Sequence, residues 1–426
     1  MITQFNSKVT PFGGISIIHE QLISKGTAQF IENELGKRKN NAQYSYADII
    51  LTRLYTVLSG GSAAEDVQYI TENTLQHLKK INIPSPDTIL RADKELSNAY
   101  EFIGITDGKK NKININEKLN RFLIRSVVYF GQLKPGRENL TLDFDHVFIP
   151  TEKYDATYSY KHKKGYFPAV ASINNIPVYV EGRNGNCSVK TDQLSTHKRI
   201  WNLLQAHKIT PASVRMDAGS YIKEVTDFYH EQGVKFFIRA NQSETLLFEA
   251  STADNWKSYT INHQNFEVTS FDYEFGQYTH RIIAYRYPNK TGQISALTGD
   301  AKNYLFIITN DREIDEKEAI EFYNQRGDSE RLFDIQNNDF NWKAMPHSFL
   351  EENTVYLILM AFVHVVYKYL LEIFSSVVEG LTQTSRLKRF IFRLVNIVAK
   401  FTRSGRRQII HLATKNKKLL MLLNSG

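Results

Sequence analysis

Three acidic positions in the 426-residue chain lie in patterns where a carboxylate can do chemistry. Asp143 and Asp145 interrupt the alternating apolar segment 140–149. Because side chains alternate along a strand, both carboxylates point to one face. Burying such a group is costly unless it is paired or binds a cation. Asp217 ends a second predicted strand, at the edge where α/β folds usually bind their ligands.

A third acid, Glu330, lies in a predicted helix over about 315–337, with Tyr323 and Arg326 seven and four positions before it. Those spacings place all three side chains on one helical face. Carboxylate oxygens are the ligands that Mg²⁺ or Mn²⁺ prefers, and two such ions suit in-line attack on a phosphodiester. Taken singly, each acid has a simpler interpretation as a helix cap, a turn or half of an ion pair.

The spacing Tyr323-x₂-Arg326-x₃-Glu330 resembles the "YREK" signature of cut-and-paste DDE transposases of bacterial insertion sequences. The chain is also similar to that group along its length. The similar stretches are Leu142-Asp-Phe-Asp145, Arg215-Met-Asp217-Ala-Gly-Ser, Lys164-Gly-Tyr-Phe-Pro168 and Arg183-Asn-Gly-Asn186.

The resemblance implies an RNase H-like catalytic core in which Asp145, Asp217 and Glu330 form the catalytic, metal-binding triad. It also implies that Arg326 contacts a DNA phosphate and that Tyr323 donates a hydrogen bond near the cleaved strand. Asp145 is favoured over Asp143 by its position in the motif, and Asp143 stays an alternative metal ligand.

The chain departs from the family pattern at two positions. Val147 stands where the family usually has Thr, two residues after the first Asp. Asn337 stands where the signature places a Lys, seven residues after Glu330. Lys343, the next lysine, is the candidate for the DNA contact that the missing lysine usually makes.

The order of predicted elements indicates an α/β fold with a mixed sheet, an antiparallel β insertion, and helical N- and C-terminal regions. The resemblance implies that the mixed sheet is RNase H-like. The predicted divisions are a helical DNA-end-binding or dimerisation region over 1–135, the first part of the core over 136–244, the insertion over 245–302, the second part of the core over 303–345, and a basic helical region over 346–426.

Basic and aromatic residues around the predicted core provide candidate DNA contacts. Lys161, Lys163 and Lys164 are flanked by tyrosines, a pattern that suits a DNA backbone with an unstacked end, although a solvated loop fits equally well. Arg183 is either a turn residue or a phosphate contact. Trp256, in the insertion, is either a core residue or a platform for an extruded base.

The C-terminal tail, residues 380–426, carries eleven of the 53 Lys and Arg residues and no Asp or Glu. The rest of the chain then has 42 basic against 45 acidic residues, so the net charge of +8 comes from the tail. An apolar stripe at helical spacing accompanies these charges and predicts a basic amphipathic helix that binds DNA or a second subunit. The tail residues singled out for DNA binding are Arg386, Lys388, Arg389, Arg406 and Arg407.

The single cysteine, Cys187, excludes a disulfide framework and CxxC sites, and the first residues lack a signal-peptide pattern. The apolar stretch 352–368 is too short and polar for a comfortable membrane span, so it is interpreted as a core helix. We expect a cytoplasmic, nucleoid-associated bacterial protein without a membrane partner.

The sequence therefore predicts a transposase that uses two Mg²⁺ or Mn²⁺ ions to cleave double-stranded DNA at the terminal inverted repeats of an insertion sequence. It would act as a homodimer and join the ends to target DNA. The alternatives are an RNase H-like nuclease without strand transfer and a non-catalytic DNA-binding protein derived from a transposase.

Overall fold

The computed structural model describes residues 9–38, 41–106, 109–405 and 407–424. Its N-terminal part is mostly helical because apolar residues recur at helical spacing and polar residues cap the helices. In α3, for example, the Ser45 side chain accepts the Asp48 N–H while the Asp48 carboxylate accepts the Ser45 N–H. The helices are Gly13–Ser24 (α1), Thr27–Leu35 (α2), Tyr46–Leu58 (α3), Asp66–Asn73 (α4), Pro86–Leu96 (α5) and Glu117–Tyr129 (α6).

Short strands precede and follow these helices and continue through the middle of the chain. They are Val9–Thr10 (β1), Glu101–Thr106 (β2), Lys109–Asn114 (β3), Leu140–His146 (β4), Ile149–Pro150 (β5), Thr157–Tyr158 (β6), Lys164–Tyr166 (β7), Ala169–Ile173 (β8), Ile176–Arg183 (β9), Pro211–Met216 (β10), Lys235–Ala240 (β11), Lys257–Ile261 (β12), Gln264–Phe275 (β13), Tyr278–Pro288 (β14) and Lys302–Thr309 (β15). Asn174 and Asn175, between β8 and β9, have φ of 53° and 60°, the positive values that a two-residue hairpin turn requires.

The remaining elements complete the middle of the chain and form its C-terminal part. They are Gln193–Ala206 (α7), Lys223–Glu231 (α8), Glu244–Thr252 (α9), Glu316–Asn324 (α10), Gly327–Asn338 (α11), Leu350–Phe374 (α12), Leu387–Phe390 (α13), Ala399–Ser404 (β16), Arg407–Leu412 (β17) and Lys417–Asn424 (α14).

The fold is a mixed α/β structure built on one eleven-stranded sheet. Its strand order is β12-β13-β14-β15-β11-β10-β4-β8-β9-β3-β2. In the centre, β10 runs parallel to both β4 and β11, whereas β8 and β15 are antiparallel to their central neighbours. Strands β12 to β14, within the predicted insertion, are antiparallel and continue this same sheet through β15.

Helices cover both faces of the central strands. On one face α7 packs against β4, where the rings of Phe144 and His197 lie 4.4 Å apart. On the other face α10 approaches β10, where Arg215 donates to the Phe322 carbonyl at 2.9 Å. The acidic side chains of β4 alternate with Phe144 and therefore lie on the α10 side.

The prediction of a helical C-terminal region over 346–426 is wrong for the second half of that region. The basic helix ends near Val395, and residues after it form the hairpin β16–β17. Ala399 and Phe401 are buried and alternate with the exposed Lys400, a strand period rather than a helical one. Strand β16 also pairs with β1, a partner almost 400 residues away that no local pattern indicates.

The N-terminal region also contains strands that its helical interpretation missed. The hairpin β2–β3 joins the main sheet where Ile113 pairs with Arg183 of β9. Strand β3 consists almost entirely of Lys and Asn, which strands usually avoid. The sheet edge, rather than intrinsic propensity, therefore determines its conformation.

The apolar stretch near residue 360 forms α12, which lies in the core against β9 and α6. Among the described residues it is the one helix long and apolar enough to cross a membrane by length and composition. However, 78% of its most apolar window is buried within the fold, as a core helix requires.

Candidate active site

Asp145, Asp217 and Arg239 lie at one level on three adjacent parallel strands. Phe144 pairs with Met216, and Met216 pairs with Ile238. The next residue on each strand is therefore Asp145 on β4, Asp217 after β10 and Arg239 on β11. Residues at one level of neighbouring strands point to the same face. The sheet thus presents two carboxylates and one guanidinium at its C-terminal edge, facing α10 and α11.

Asp143 lies one layer deeper and has a different environment from Asp145. The Arg215 Nε and Nη2 atoms donate to its two carboxylate oxygens at 2.7 and 2.8 Å. Burial raises the pKa of Asp143, and the Arg215 guanidinium opposes that shift. Since this bidentate pair occupies both oxygens, Asp145 is the carboxylate of β4 that lies beside Asp217.

The negative charge of Asp217 destabilises the ionised form of Asp145. Burial and the charge of Asp217 raise the pKa of Asp145 to about 6, against the opposing effect of Arg326. Arg326 donates from Nη1 to the Asp145 carboxylate at 2.7 Å. A like-charge pair that one arginine only partly neutralises is a site where a further cation is stabilising.

The turn after β10 holds Asp217 in place. Its carboxylate accepts the Gly219 N–H at 2.9 Å and caps the short helical turn Ala218–Ser220. A Cβ on Gly219 would lie 2.9 Å from the Asp217 Oδ1 atom and 3.0 Å from Val189. Glycine therefore lets the chain turn tightly against the carboxylate that it orients.

The break between α10 and α11 positions Tyr323 and Arg326. Tyr323 is buried near the end of α10, and Arg326 precedes the first residue of α11. The Arg326 guanidinium carbon lies 5.9 Å from the centre of the Tyr323 ring. Its Nε atom is buried without a hydrogen-bond partner, so the side chain keeps donor capacity beyond its bond to Asp145.

Glu330 is not brought together with the two aspartates in this structure. It lies on the exposed side of α11, whereas Ser329 and Phe333 face the core. Within the ranges that the structure describes, no group of three or more His, Cys, Asp and Glu side chains is placed to hold a metal ion. The role of Glu330 as third ligand therefore stays a prediction.

A cleft of about 370 Å³ opens above the sheet edge. It is lined by Asp217, Ala218, Arg239, Tyr323, Asn324, Arg326 and Gly327. Sequence reasoning had missed Arg239. The signal available in the sequence was a basic residue after the apolar run Phe236-Phe237-Ile238, and its place level with Asp217 is a property of the fold.

Two predicted DNA contacts are engaged inside the protein. Arg183 is fully buried, pairs with Glu181 and donates to the Thr191 carbonyl at 2.8 Å, so its position gives no support to a phosphate contact. Trp256 packs edge-on against Tyr304, and the Arg286 guanidinium carbon lies 3.8 Å from its ring centre. At least one face of this indole is therefore covered, and base stacking by it stays a prediction.

The predicted basic cluster lies on a small sheet made of β5, β7 and β6, which follows directly after β4. We call this segment, residues 149–166, the tyrosine sheet. Tyr154, Tyr158 and Tyr160 are 81%, 61% and 70% exposed there. Lys161 and Lys163 are exposed, and Lys164 is half-buried. The cluster therefore presents aromatic and basic groups to solvent, with its start near Asp145.

The predicted basic residues near the tail have diverse surroundings. Arg386 pairs with Asp334 and Asp339 of the α11 segment, and Lys343 donates to Asn338 at 3.3 Å. Arg389 donates to the Gly380 carbonyl, and Lys388 lines a surface groove beside Phe392. Arg406 and the side chain of Arg407 lie outside the described residues.

The chain matches the family model described as "Transposase DDE domain group 1" over residues 7–423. Enzymes of this family act in DNA transposition and generally use divalent metal ions. Among solved structures, the chain is similar to the protein in a cryo-EM structure of a piggyBac transposase synaptic complex with hairpin DNA. The identity is 11%, the TM-score is 0.43, and the match covers 89% of this chain and 78% of that one. No curated protein matches the chain. Since the family match spans almost every residue, this protein belongs to the transposase DDE domain group 1 family.

Proposed function

We propose that the protein is a metal-dependent transposase that cleaves DNA at the terminal inverted repeats of a bacterial insertion sequence and joins the ends to target DNA. The observation that carries the proposal is the placement of Asp145 and Asp217 at one level on adjacent parallel strands. Arg326 and Tyr323 of the YREK-like motif lie over the same edge.

The strand order supports an RNase H-like core within the larger sheet. Counted along the chain, the central strands are β4, β8, β9, β10 and β11, and they lie in the order β9-β8-β4-β10-β11. The first three form an antiparallel meander and the last two add in parallel on the other side of β4. This 3-2-1-4-5 arrangement brings the ends of the first and fourth strands together, where the two aspartates are.

Asp145 and Asp217 fit a hard divalent cation, because they are neighbouring carboxylates whose mutual repulsion a cation relieves. In our proposal these two residues and Glu330 hold Mg²⁺ or Mn²⁺ ions. Bound there, such ions neutralise charge on the oxygens that attack and leave phosphorus. Glu330 is exposed in the first turn of α11, so its part in this ligand set rests on the YREK-like motif.

The chain's own residues bind and orient the DNA strand at this edge. Arg326, which retains an unused donor at Nε, contacts a phosphate oxygen, and the Tyr323 hydroxyl donates near the cleaved bond. The tyrosine sheet holds backbone and unstacked bases beside the carboxylates. A homodimer would bring two DNA ends together, and its place would be the bacterial cytoplasm at the nucleoid.

The test is cleavage of a duplex that carries the element's terminal repeat, with wild type, Asp217→Ala and Glu224→Gln. Glu224 is an exposed acid of α8 close to Asp217 in sequence, so its variant controls for loss of a negative charge. We expect Asp217→Ala to lose cleavage but still bind the DNA ends, while Glu224→Gln cleaves like wild type. Undiminished cleavage by Asp217→Ala would contradict the proposal.

A second assay separates transposition from simple nuclease activity. Pre-cleaved ends with a free 3′-OH are incubated with a target plasmid, and joined products are counted. Joined products support strand transfer, and cleavage without them selects the nuclease alternative. End binding without cleavage by wild type would select the non-catalytic alternative. Calorimetric titration of wild type and Glu330→Gln with Mn²⁺ tests the third ligand separately from activity.

A further inference from the structure

Arg239 is held in the catalytic cleft by aromatic rings rather than by acids. Its guanidinium carbon lies 5.3 Å from the ring centre of Tyr285 and 5.1 Å from that of Tyr323. Both rings are almost fully buried and belong to the apolar layer between the sheet and α10. Two rigid rings fix the guanidinium while leaving its charge unneutralised.

The charge of Arg239 has no acidic partner in the described part of the chain. Its Nη1 atom is buried and makes no hydrogen bond. Other arginines on this face differ, since Arg215 is bound by Asp143 and Arg326 by Asp145. A buried donor without a partner is costly, and a ligand that accepts a hydrogen bond from this nitrogen would relieve that cost.

The charges that line the cleft indicate the chemistry of that ligand. Asp217, Arg239 and Arg326 are the charged residues in its wall, which makes the wall itself net positive. An oxyanion is therefore the group that Arg239 can bind, and its planar fork matches the oxygens of a phosphate. Its position level with Asp217 places that oxyanion over the candidate metal ligands.

We propose that Arg239 is a catalytic residue that donates hydrogen bonds to a non-bridging oxygen of the DNA phosphodiester lying over Asp145 and Asp217. This inference rests on the proposed function and adds a residue to it outside the YREK-like motif. Tyr285 and Tyr323 act as positioning residues that hold the guanidinium plane against the phosphate.

The phosphate that Arg239 contacts is identified with DNA in which a single phosphate is replaced by an uncharged methylphosphonate. A series of terminal-repeat duplexes carries one methylphosphonate each, at successive phosphates around the cleavage position. Binding of each duplex is measured with wild type, Arg239→Gln and Arg239→Lys, and cleavage of the unmodified duplex is measured beside it. Arg281→Gln is the matched control, because Arg281 lies on the same sheet but is paired with Glu316.

We expect Arg239→Gln to cleave about 10² to 10³-fold more slowly than wild type, the usual effect of losing one such donor. One methylphosphonate position that weakens wild-type binding should have little effect on Arg239→Gln binding. Arg239→Lys should recover only part of the rate, because an ammonium keeps the charge but lacks the fork. Arg281→Gln should cleave like wild type and show the wild-type methylphosphonate profile.

Two results would overturn the inference: cleavage by Arg239→Gln within threefold of wild type, or an unchanged methylphosphonate profile in both Arg239 variants. If wild type binds DNA without cleaving it, the proposed function is contradicted. The methylphosphonate binding profile still tests the phosphate contact of Arg239 in that case. If wild type fails to bind any duplex, both proposals fail. Thermal unfolding of each variant identifies a folding defect, and the lysine variant then carries the comparison.

Discussion

Two regions place charged groups inside the fold but treat those charges in opposite ways. One is the sheet edge with Asp145 and Asp217, called the catalytic edge after its proposed function, and the other is the ion-pair cluster on β9. Around Glu181 every group has a partner. Arg183 and Arg199 pair with its two oxygens, and Tyr179 donates to it at 2.7 Å. Burial works to raise the pKa of Glu181, but the two arginines outweigh burial and lower it.

At the catalytic edge the charges are left incompletely matched. Asp145 and Asp217 repel each other, and Arg326 and Arg239 each keep a buried nitrogen without a partner. Such an arrangement lowers stability, and proteins retain it where a substrate or ion completes it. Incomplete pairing, rather than burial of charge, therefore distinguishes the candidate active site from the structural cluster on β9.

The largest expected effect that tests this contrast is on activity at the catalytic edge. Asp145→Asn removes one carboxylate, and losing several kcal/mol of transition-state stabilisation corresponds to a drop in end cleavage of about 10³-fold or more. The free energy of unfolding should stay unchanged or rise, because the repulsion with Asp217 is relieved. Cleavage rates and urea unfolding are measured together. A clear decrease in the free energy of unfolding would show that Asp145 stabilises the fold, as the ion pairs on β9 do.

The β9 cluster should respond in the opposite way. Arg183→Met leaves Glu181 buried with a single arginine and should lower the free energy of unfolding by about 3–5 kcal/mol. The double variant Glu181→Gln with Arg183→Met removes the unpaired charge and should recover most of that loss. Urea unfolding of wild type and both variants measures the two effects. A single variant as stable as wild type would contradict the assignment of this cluster to stability.

Much of the site follows from the sequence because its residues lie in local patterns. Asp143 and Asp145 in one apolar strand, and Asp217 at the end of another, indicated the strand ends that the fold brings together. Arg239 was missed because its importance depends on the register of β11 beside β10, which is a tertiary property. The alternative of a phosphate contact by Arg183 gains no support, because the side chain is buried and paired with Glu181.

The core helix α12 was predicted because an apolar stretch extends over many residues there. The prediction failed at β16, where Phe401 fits both a helical stripe and a strand alternation. Pairing with β1 decides between these patterns, and its partner residues lie almost 400 positions apart in the sequence. Glu330 was found from its local spacing to Arg326. Its distance from the aspartates could not be predicted, because it depends on how α11 packs.

A smaller effect on stability is expected from a buried base that lies in neither charged region. His364 stacks on Phe340 with ring centres 4.7 Å apart and hydrogen-bonds Gln336. Burial, with help from Lys368 and Arg386, lowers the pKa of His364 to about 3. Its ordinary pKa near 6.5 applies in the unfolded chain, so acid protonates the unfolded state first. Stability is therefore full above pH 6.5 and falls as the pH decreases from 6.5 towards 3.

Between pH 7.5 and 5.0 this histidine should reduce the free energy of unfolding by about 2 kcal/mol. Urea unfolding of wild type, His364→Gln and His411→Gln at both pH values measures the difference. His411 is exposed, so its variant should keep the wild-type pH dependence, whereas His364→Gln should show less of it. Equal pH dependence in His364→Gln and wild type would contradict the assignment.

The smallest effect of a single substitution is expected at the tyrosine sheet, because its lysines are exposed and are not held by packed neighbours as the arginines of the cleft are. Lys161→Gln and Lys163→Gln should leave the free energy of unfolding within about 0.5 kcal/mol of wild type. If each lysine contacts a phosphate, the slope of log binding constant against log salt should become shallower by about 0.9 for each variant. Lys198, exposed on α7 across the sheet, is the control, and Lys198→Gln should keep the wild-type slope. Identical slopes in all variants would show that these lysines are solvated surface, and would confine DNA recognition to the groups with unmatched charge at the sheet edge.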